Sequence, residues 1–217
     1  MTSPSPTLSA TTAGSAEVVA VQNEFVQVEV DRTCGRIHQI RDLLHGHDLI
    51  AEPRLAENFR LLLPLPGLRG HYLSGRDQEV AAIDRDADQQ LTLRWDRLSS
   101  AHGTFDISIA LRIRVDSSGD IRFRTTVDNR SSHTIEEVHN VTLGGLGVPG
   151  SQRRDWRIHY AGGGGQGREW PVFDQFPGSY LGPELPVWIG AYHGELSLPW
   201  VDVYDQVRSH GWYFGNH

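Results

Sequence analysis

Two strictly alternating runs joined by a short turn limit the fold of this chain more than any other feature. Phe105, Ile107, Ile109, Leu111, Ile113 and Val115 occupy every second position, with Asp106, Ser108, Arg112 and Arg114 between them. Asp116-Ser117-Ser118-Gly119-Asp120 follows, and then Ile121, Phe123, Thr125 and Val127 alternate with Arg122, Arg124 and Asp128. Successive side chains of a strand point to opposite faces, so each run buries one face and wets the other. Two such runs about a glycine-bearing loop predict a long antiparallel hairpin. Its polar face carries four arginines; an anion site is one reading, but they are expected to be solvated and paired with acids such as Glu136 and Glu137.

The rest of the chain follows the same period. Val26, Val28 and Val30 alternate with Gln27, Glu29 and Asp31; turn chemistry fills Asp31 to Gly35; Arg36 to Leu43 is the returning strand. A second turn lies at His45-Gly46-His47-Asp48. Phe59 to Leu63 is a short apolar strand halted by Pro64 and Pro66. Further strands are expected at 89–95, 134–143, 187–193, 196–204 and 211–215. No segment longer than about two turns shows the helical period. The prediction is an all-β chain, a two-sheet antiparallel sandwich with few short helices. Residues 1–16, rich in Ser, Thr, Pro and Ala, form a disordered tail, and 17–217 form a single β-sandwich domain. The closing run, Gly211 to His217, ends without a polar tail, as expected of a chain cut from something longer.

Charge excludes whole classes of function. Lys plus Arg number 20 against 27 Asp plus Glu, a net charge of −7, so the basic footprint of a nucleic-acid binder is absent. No basic run marks a membrane surface and no apolar run reaches the ~18 residues of a spanning helix. The first residues lack the basic and apolar regions of a secretion signal, which predicts a cytoplasmic protein. Cys34 is the only cysteine, so no disulfide forms within the chain, and in its Thr33-Cys34-Gly35 turn it reads as a bystander thiol. No cofactor is called for. The glycine-rich stretch Ala161 to Gly167 lacks the following Lys-Ser/Thr of a phosphate loop, and no Gly-x-Ser-x-Gly elbow is present.

Aromatic residues are unevenly placed. Of 19 Phe, Trp and Tyr residues, 13 fall between Trp156 and His217, interleaved with glycines, prolines and carboxylates. Flat rings beside acids suit sugars, because rings stack on C–H faces while carboxylates accept bonds from hydroxyls. The same rings also fill cores where strands meet loops. Within Leu198 to Asp205 the strand period puts Trp200, Asp202 and Tyr204 on one face and Val201 and Val203 on the other. The valines are the natural core face. The Trp200, Asp202, Tyr204 row is then an outward surface, for a ligand or for another domain. Paired catalytic carboxylates of a glycosidase cannot be picked from the many acids of this region.

Eleven histidines raise a metal alternative. His45-Gly46-His47, then Glu52 and His71, offer imidazoles and a carboxylate of the kind that hold a divalent metal in a small cupin-like β-barrel enzyme.

Several stretches together carry a resemblance. They are Val28-x-Val30 with Gly35-Arg36-Ile37-x-x-Ile40-x-Asp42; Glu57-Asn58-Phe59-Arg60-Leu61; Tyr72-Leu73-x-Gly75-x-Asp77-Gln78; and Leu198-Pro199-Trp200-Val201-Asp202-Val203-Tyr204 ahead of Gly211-Trp212-Tyr213-Phe214-Gly215. In that order, over roughly residues 22–217, the chain resembles the N-terminal galactose-mutarotase-like β-supersandwich of bacterial glycoside-hydrolase-like proteins. The resemblance implies an accessory domain, not catalytic alone, that packs on a downstream (β/α)8 barrel and helps wall its substrate cleft. It implies carbohydrate or that barrel as the partner, with Trp200, Asp202, Tyr204 and Asp77 as sugar contacts. A purely structural interaction domain is the third reading.

Overall fold

A computed structural model describes residues 17–87, 89–147, 155–162, 167–171 and 196–216. The tail at 1–16, the strand expected at 187–193 and residues 163–166 of the glycine-rich stretch lie outside the described residues. What is described is all-β: strands in several antiparallel sheets, with only two 3₁₀ turns, Pro53–Leu55 and Gly75–Asp77. No described helix is long and apolar enough to cross a membrane. The chain forms two compact units, one described from Glu17 to Gly147 and one from Asp155 to Asn216.

In the first unit β1 (Val18–Gln22), β2 (Val26–Asp31), β3 (Ile37–Asp42) and β4 (His47–Asp48) pair in order. The short β5 (Ile50–Glu52) is followed by β6 (Glu57–Leu62), β7 (Tyr72–Ser74), β8 (Ala82–Ala87) and β9 (Gln90–Trp95). Two short strands, β10 (Ser99–Ser100) and β11 (Gly103–Thr104), lead to β12 (Ile107–Val115) and β13 (Ile121–Asn129). The unit closes with β14 (Glu137–Thr142), which pairs with β6, and β15 (Gly145–Leu146), which pairs with β5.

The long hairpin forms as its alternation requires. Strand β12 pairs with β13 from Ile107↔Asn129 to Val115↔Ile121, and its other edge pairs with β9. The sheet order is β13-β12-β9-β8. Lying inside the sheet, β12 buries Ile107, Ile109, Leu111, Ile113 and Val115 almost completely. Burying each such side chain contributes roughly 1.5–3 kcal/mol. On the edge strand β13 the equivalent Ile121, Phe123 and Val127 are only half-buried. The polar face departs from expectation. Glu137 bonds His139 at 3.0 Å, and among the described residues the only acids on the four arginines are Asp116 and Asp120, at 3.2 and 4.0 Å from Arg122. The register explains this, because β14 pairs with β6 in a different sheet.

A second knot of the core joins residues distant in sequence. Asp31 Oδ1 accepts from the backbone N–H groups of Thr33 and Cys34, and the turn closes with Gly35 N–H donating to Asp31 O. Gly35 has φ +72°, and a Cβ there would lie 2.6 Å from the Trp95 ring. Only glycine meets both conditions. Asn58, itself buried, donates from Nδ2 to the Gly35 carbonyl, and Phe59 meets Trp95 edge-on at 5.2 Å.

Candidate functional site

The described residues of the second unit form one four-stranded sheet: β16 (Trp156–Gly162), β17 (Gly167–Pro171), β18 (Leu196–Asp205) and β19 (His210–Gly215), in the order β17-β16-β18-β19. The β18–β19 turn is fixed by Asp205. Its buried carboxylate accepts from the N–H groups of Val207 and Arg208 at 2.8 and 3.1 Å. From that anchor the register runs Asp205↔His210, Tyr204↔Gly211, Val203↔Trp212, Asp202↔Tyr213 and Trp200↔Gly215. On the other side Asp202 faces His159, and His159 is the register partner of Glu169. One face of the sheet therefore carries Trp200, Asp202 and Tyr204, with Tyr213 on one neighbour and His159 and Arg157 on the other. The opposite face carries Val201 and Val203 beside Trp156 and Tyr160, both buried, which marks it as the inner one. The expected contrast in exposure is weaker than the pattern implied, since Trp200 to Tyr204 are all half-buried.

Glycine shapes this surface. A Cβ at Gly215 would meet the Tyr213 ring at 2.9 Å and its hydroxyl at 3.0 Å. The bare position lets Tyr213 lean along β19 toward Trp200, and the two rings stack at 6.0 Å between centroids and 29° between planes. His159 meets Trp200 edge-on at 5.2 Å. Tyr213 is 60% exposed, so one side of the aromatic pair stays open to solvent. Beside it runs an open cleft of about 400 Å³, lined by Asp202, Tyr204, Gln206, Ser209, His210, Gly211 and Tyr213. Burial pushes the Asp202 carboxyl above its ordinary value, only partly countered by the nearby His159. The face thus offers a stacking platform, a partly desolvated carboxyl and several polar side chains around one open hollow.

The other residues expected at a site are dispersed. Asp77 lies in the first unit, exposed at the end of the Gly75–Asp77 turn. His45 holds Asp42 through Nδ1 at 2.6 Å and stacks on His47 at 6.2 Å between centroids. Glu52 is bound to Arg54 at 2.6 Å. His71 is buried, with Nδ1 donating to Leu63 O at 2.8 Å and Nε2 2.9 Å from Ser100 Oγ. Both nitrogens are thereby occupied. No three of His45, His47, Glu52 and His71 come within metal-ligand reach of one another among the described residues, so the structure does not assemble the metal set read from the sequence. Cys34 receives a contact from Arg36 at 3.4 Å.

Three residues of the site were not among the sugar contacts expected from sequence. His159 and Ser209 gave no local signal, because only cross-strand register and the turn bring them to the site. Tyr213 had one: the alternation Gly211-x-Tyr213-x-Gly215 places a lone ring between two bare positions on one face. Comparison with protein-family models gives no match, and comparison with curated proteins gives none either.

Proposed function

We propose that this chain is a carbohydrate-binding β-domain of the galactose-mutarotase-like supersandwich type, serving as an accessory to the (β/α)8 barrel of a glycoside-hydrolase-like protein. The sugar lies on the second unit's face, against Trp200 and Tyr213 with Asp202 below. One observation carries the reading: Tyr213 stands opposite Asp202 in register while its ring stacks on Trp200, so the exposed Tyr213 ring and a hydrogen-bond acceptor line one open cleft, with Trp200 backing the ring. A pyranose presents that combination, a C–H face and a ring of hydroxyls.

The test is a titration of neutral mono- and oligosaccharides followed by intrinsic tryptophan fluorescence and calorimetry. Millimolar or tighter binding is expected for at least one sugar. Tyr213→Ala should weaken it about 2- to 10-fold, since an aromatic contact contributes roughly 0.5–1.5 kcal/mol beyond its buried area. Absence of any response at millimolar sugar, or full affinity in Tyr213→Ala, removes the proposal.

A further inference from the structure

The polar face of the β13-β12-β9-β8 sheet holds a second feature, in the other unit and independent of the aromatic cleft. Arg112 is the register partner of Arg124, and Arg114 of Arg122. All four are exposed. Strands lie about 4.8 Å apart and alternate residues about 6.8 Å apart, so the four Cα atoms make a grid of roughly 5 by 7 Å. Like charges directly opposite each other destabilise a sheet. This arrangement repeats that penalty in two adjacent rows. The acids at its margins are engaged elsewhere or on one corner: Asp84 with Arg94 at 3.5 Å, Asp116 and Asp120 with Arg122, Asp128 with Arg130 at 3.1 Å. Arg112, Arg114 and Arg124 have no acidic partner among the described residues.

We infer that this face binds an acidic polysaccharide, a glycan chain bearing carboxylates along its length. Charge complementarity sets the sign, for three uncompensated guanidinium groups stand together on a chain of net charge −7. The residue type sets the group: a guanidinium presents a planar fork that matches a carboxylate with two parallel hydrogen bonds, which an ammonium cannot do. An exposed sheet face with four arginines spread over two strands fits an extended chain with spaced anions better than a single small anion. The companions of the arginines complete the choice. Thr126, exposed beside Arg124, shares the face and supplies a partner for hydroxyls, while Thr92 lies buried beneath the arginines. Among the described residues this face has no ring on which a nucleobase could stack and no apolar hollow to anchor a peptide side chain.

Calorimetry with polygalacturonate at low and at physiological ionic strength tests this on the full chain. Binding is expected at low ionic strength and weakens as salt screens it. Arg112→Gln with Arg124→Gln should lower affinity about 5- to 30-fold, the effect of two exposed charge contacts of modest strength. The pair Arg112→Lys and Arg124→Lys, which keeps charge but loses the fork, should still lose several-fold. Arg54→Gln, at a surface ion pair outside the sheet, should bind like the parent, and circular dichroism verifies that each variant is folded. The inference fails if polygalacturonate does not bind at low ionic strength, or if the double Gln variant binds as well as the parent. It also fails if single-stranded DNA or polyglutamate binds as tightly, since that would mark an unselective positive field. Neutral-sugar affinity of the double Gln variant, read separately, tells failure here from failure at the aromatic cleft.

Discussion

Glu57 provides the sharpest test of how this fold tolerates buried charge. Its side chain is 2% exposed, bonded by Arg60 at 2.5 Å, more distantly by Arg76 at 3.5 Å, and by the Ser74 hydroxyl. Burial works against the carboxylate, yet the bonds from Ser74 and the Arg60 charge outweigh it and hold its pKa below the ordinary value. The cations are less confined, with Arg60 41% and Arg76 44% exposed. That asymmetry predicts an order of effects. Glu57→Gln keeps an acceptor for Ser74 and returns two half-exposed cations to water, so it should cost about 1–2 kcal/mol. Arg60→Met leaves a buried anion with Ser74 and a long contact to Arg76. It should cost about 3 kcal/mol, the low end of the range for stranding a buried charge. Combining the two should cost less than Arg60→Met alone, because the stranded anion is gone.

Acid sharpens the same test. A carboxyl whose folded pKa is depressed contributes stability above its unfolded value, 4.5 here, and loses it as pH falls through the folded value. In Arg60→Met the balance tips to burial and the Glu57 pKa should rise. The deficit of that variant should therefore shrink on moving from neutral pH to below 4.5, and that of Glu57→Gln should shrink too but by less, because there only the parent's own depressed-pKa contribution is lost. Urea denaturation with hydrogen exchange read at the Leu61 amide, on the same strand, reports the first unit alone. If Glu57→Gln proves costlier than Arg60→Met, or the double variant costs the sum of the singles, the stranded-charge reasoning is wrong.

Three further outcomes follow from the sites. Asp202 has a raised pKa, so the folded state holds its proton more tightly and the group favours folding most below 3.8, a contribution lost as pH rises through the folded value. Sugar affinity should run the other way, rising as Asp202 ionises and becomes an acceptor, and Asp202→Asn should flatten that profile in calorimetry across the acidic range. Gly215→Val should push Tyr213 off Trp200 and weaken sugar binding about as much as Tyr213→Ala, with the far-UV spectrum unchanged. Arg124→Thr relieves a like-charge pair and places a strand-favouring residue on β13, so it should raise stability by about 0.5 kcal/mol in urea denaturation.

The all-β character and nine of the nineteen described strands, among them the longest, were legible because side-chain period is a local signal. The alternation at 105–115 and 121–127 fixed both strands and, through Gly119, the loop between them. Strands β7 and β8 were not read, since the apolar pattern of Tyr72–Ser74 is too short to count and that of Ala82–Ala87 is broken by Asp84 and Arg85. The motif stretches that carried the family resemblance turn out to be structural over much of their length. Gly35, Asn58 and Phe59 meet around Trp95, Gly75 abuts the Phe59 ring, and Gln78 is buried with its amide spent on Ser74 and Ser99. Such residues are required by a left-handed turn or a buried amide that must be satisfied, whatever the surface does. Their presence therefore argues for a fold more strongly than for a ligand.

The candidate site shows the converse. Trp200, Asp202 and Tyr204 could be placed on one face from their spacing alone, because two-residue periodicity needs no knowledge of neighbours. What makes that row chemically coherent is not local. His159 lies 43 positions before Asp202 and reaches it only through the β16–β18 register, and Tyr213 reaches it only because Asp205 fixes a turn of defined length. A turn one residue longer would turn β19 over and put Trp212 and Phe214 on the cleft and Tyr213 in the interior. The register thus decides whether this sheet offers a phenol and a carboxyl to a polar ligand or only a second apolar face. The same dependence governs the arginines of β12 and β13. Neither strand alone reads as more than a solvated surface, and only the pairing of Arg112 with Arg124 and Arg114 with Arg122 turns four scattered charges into one field.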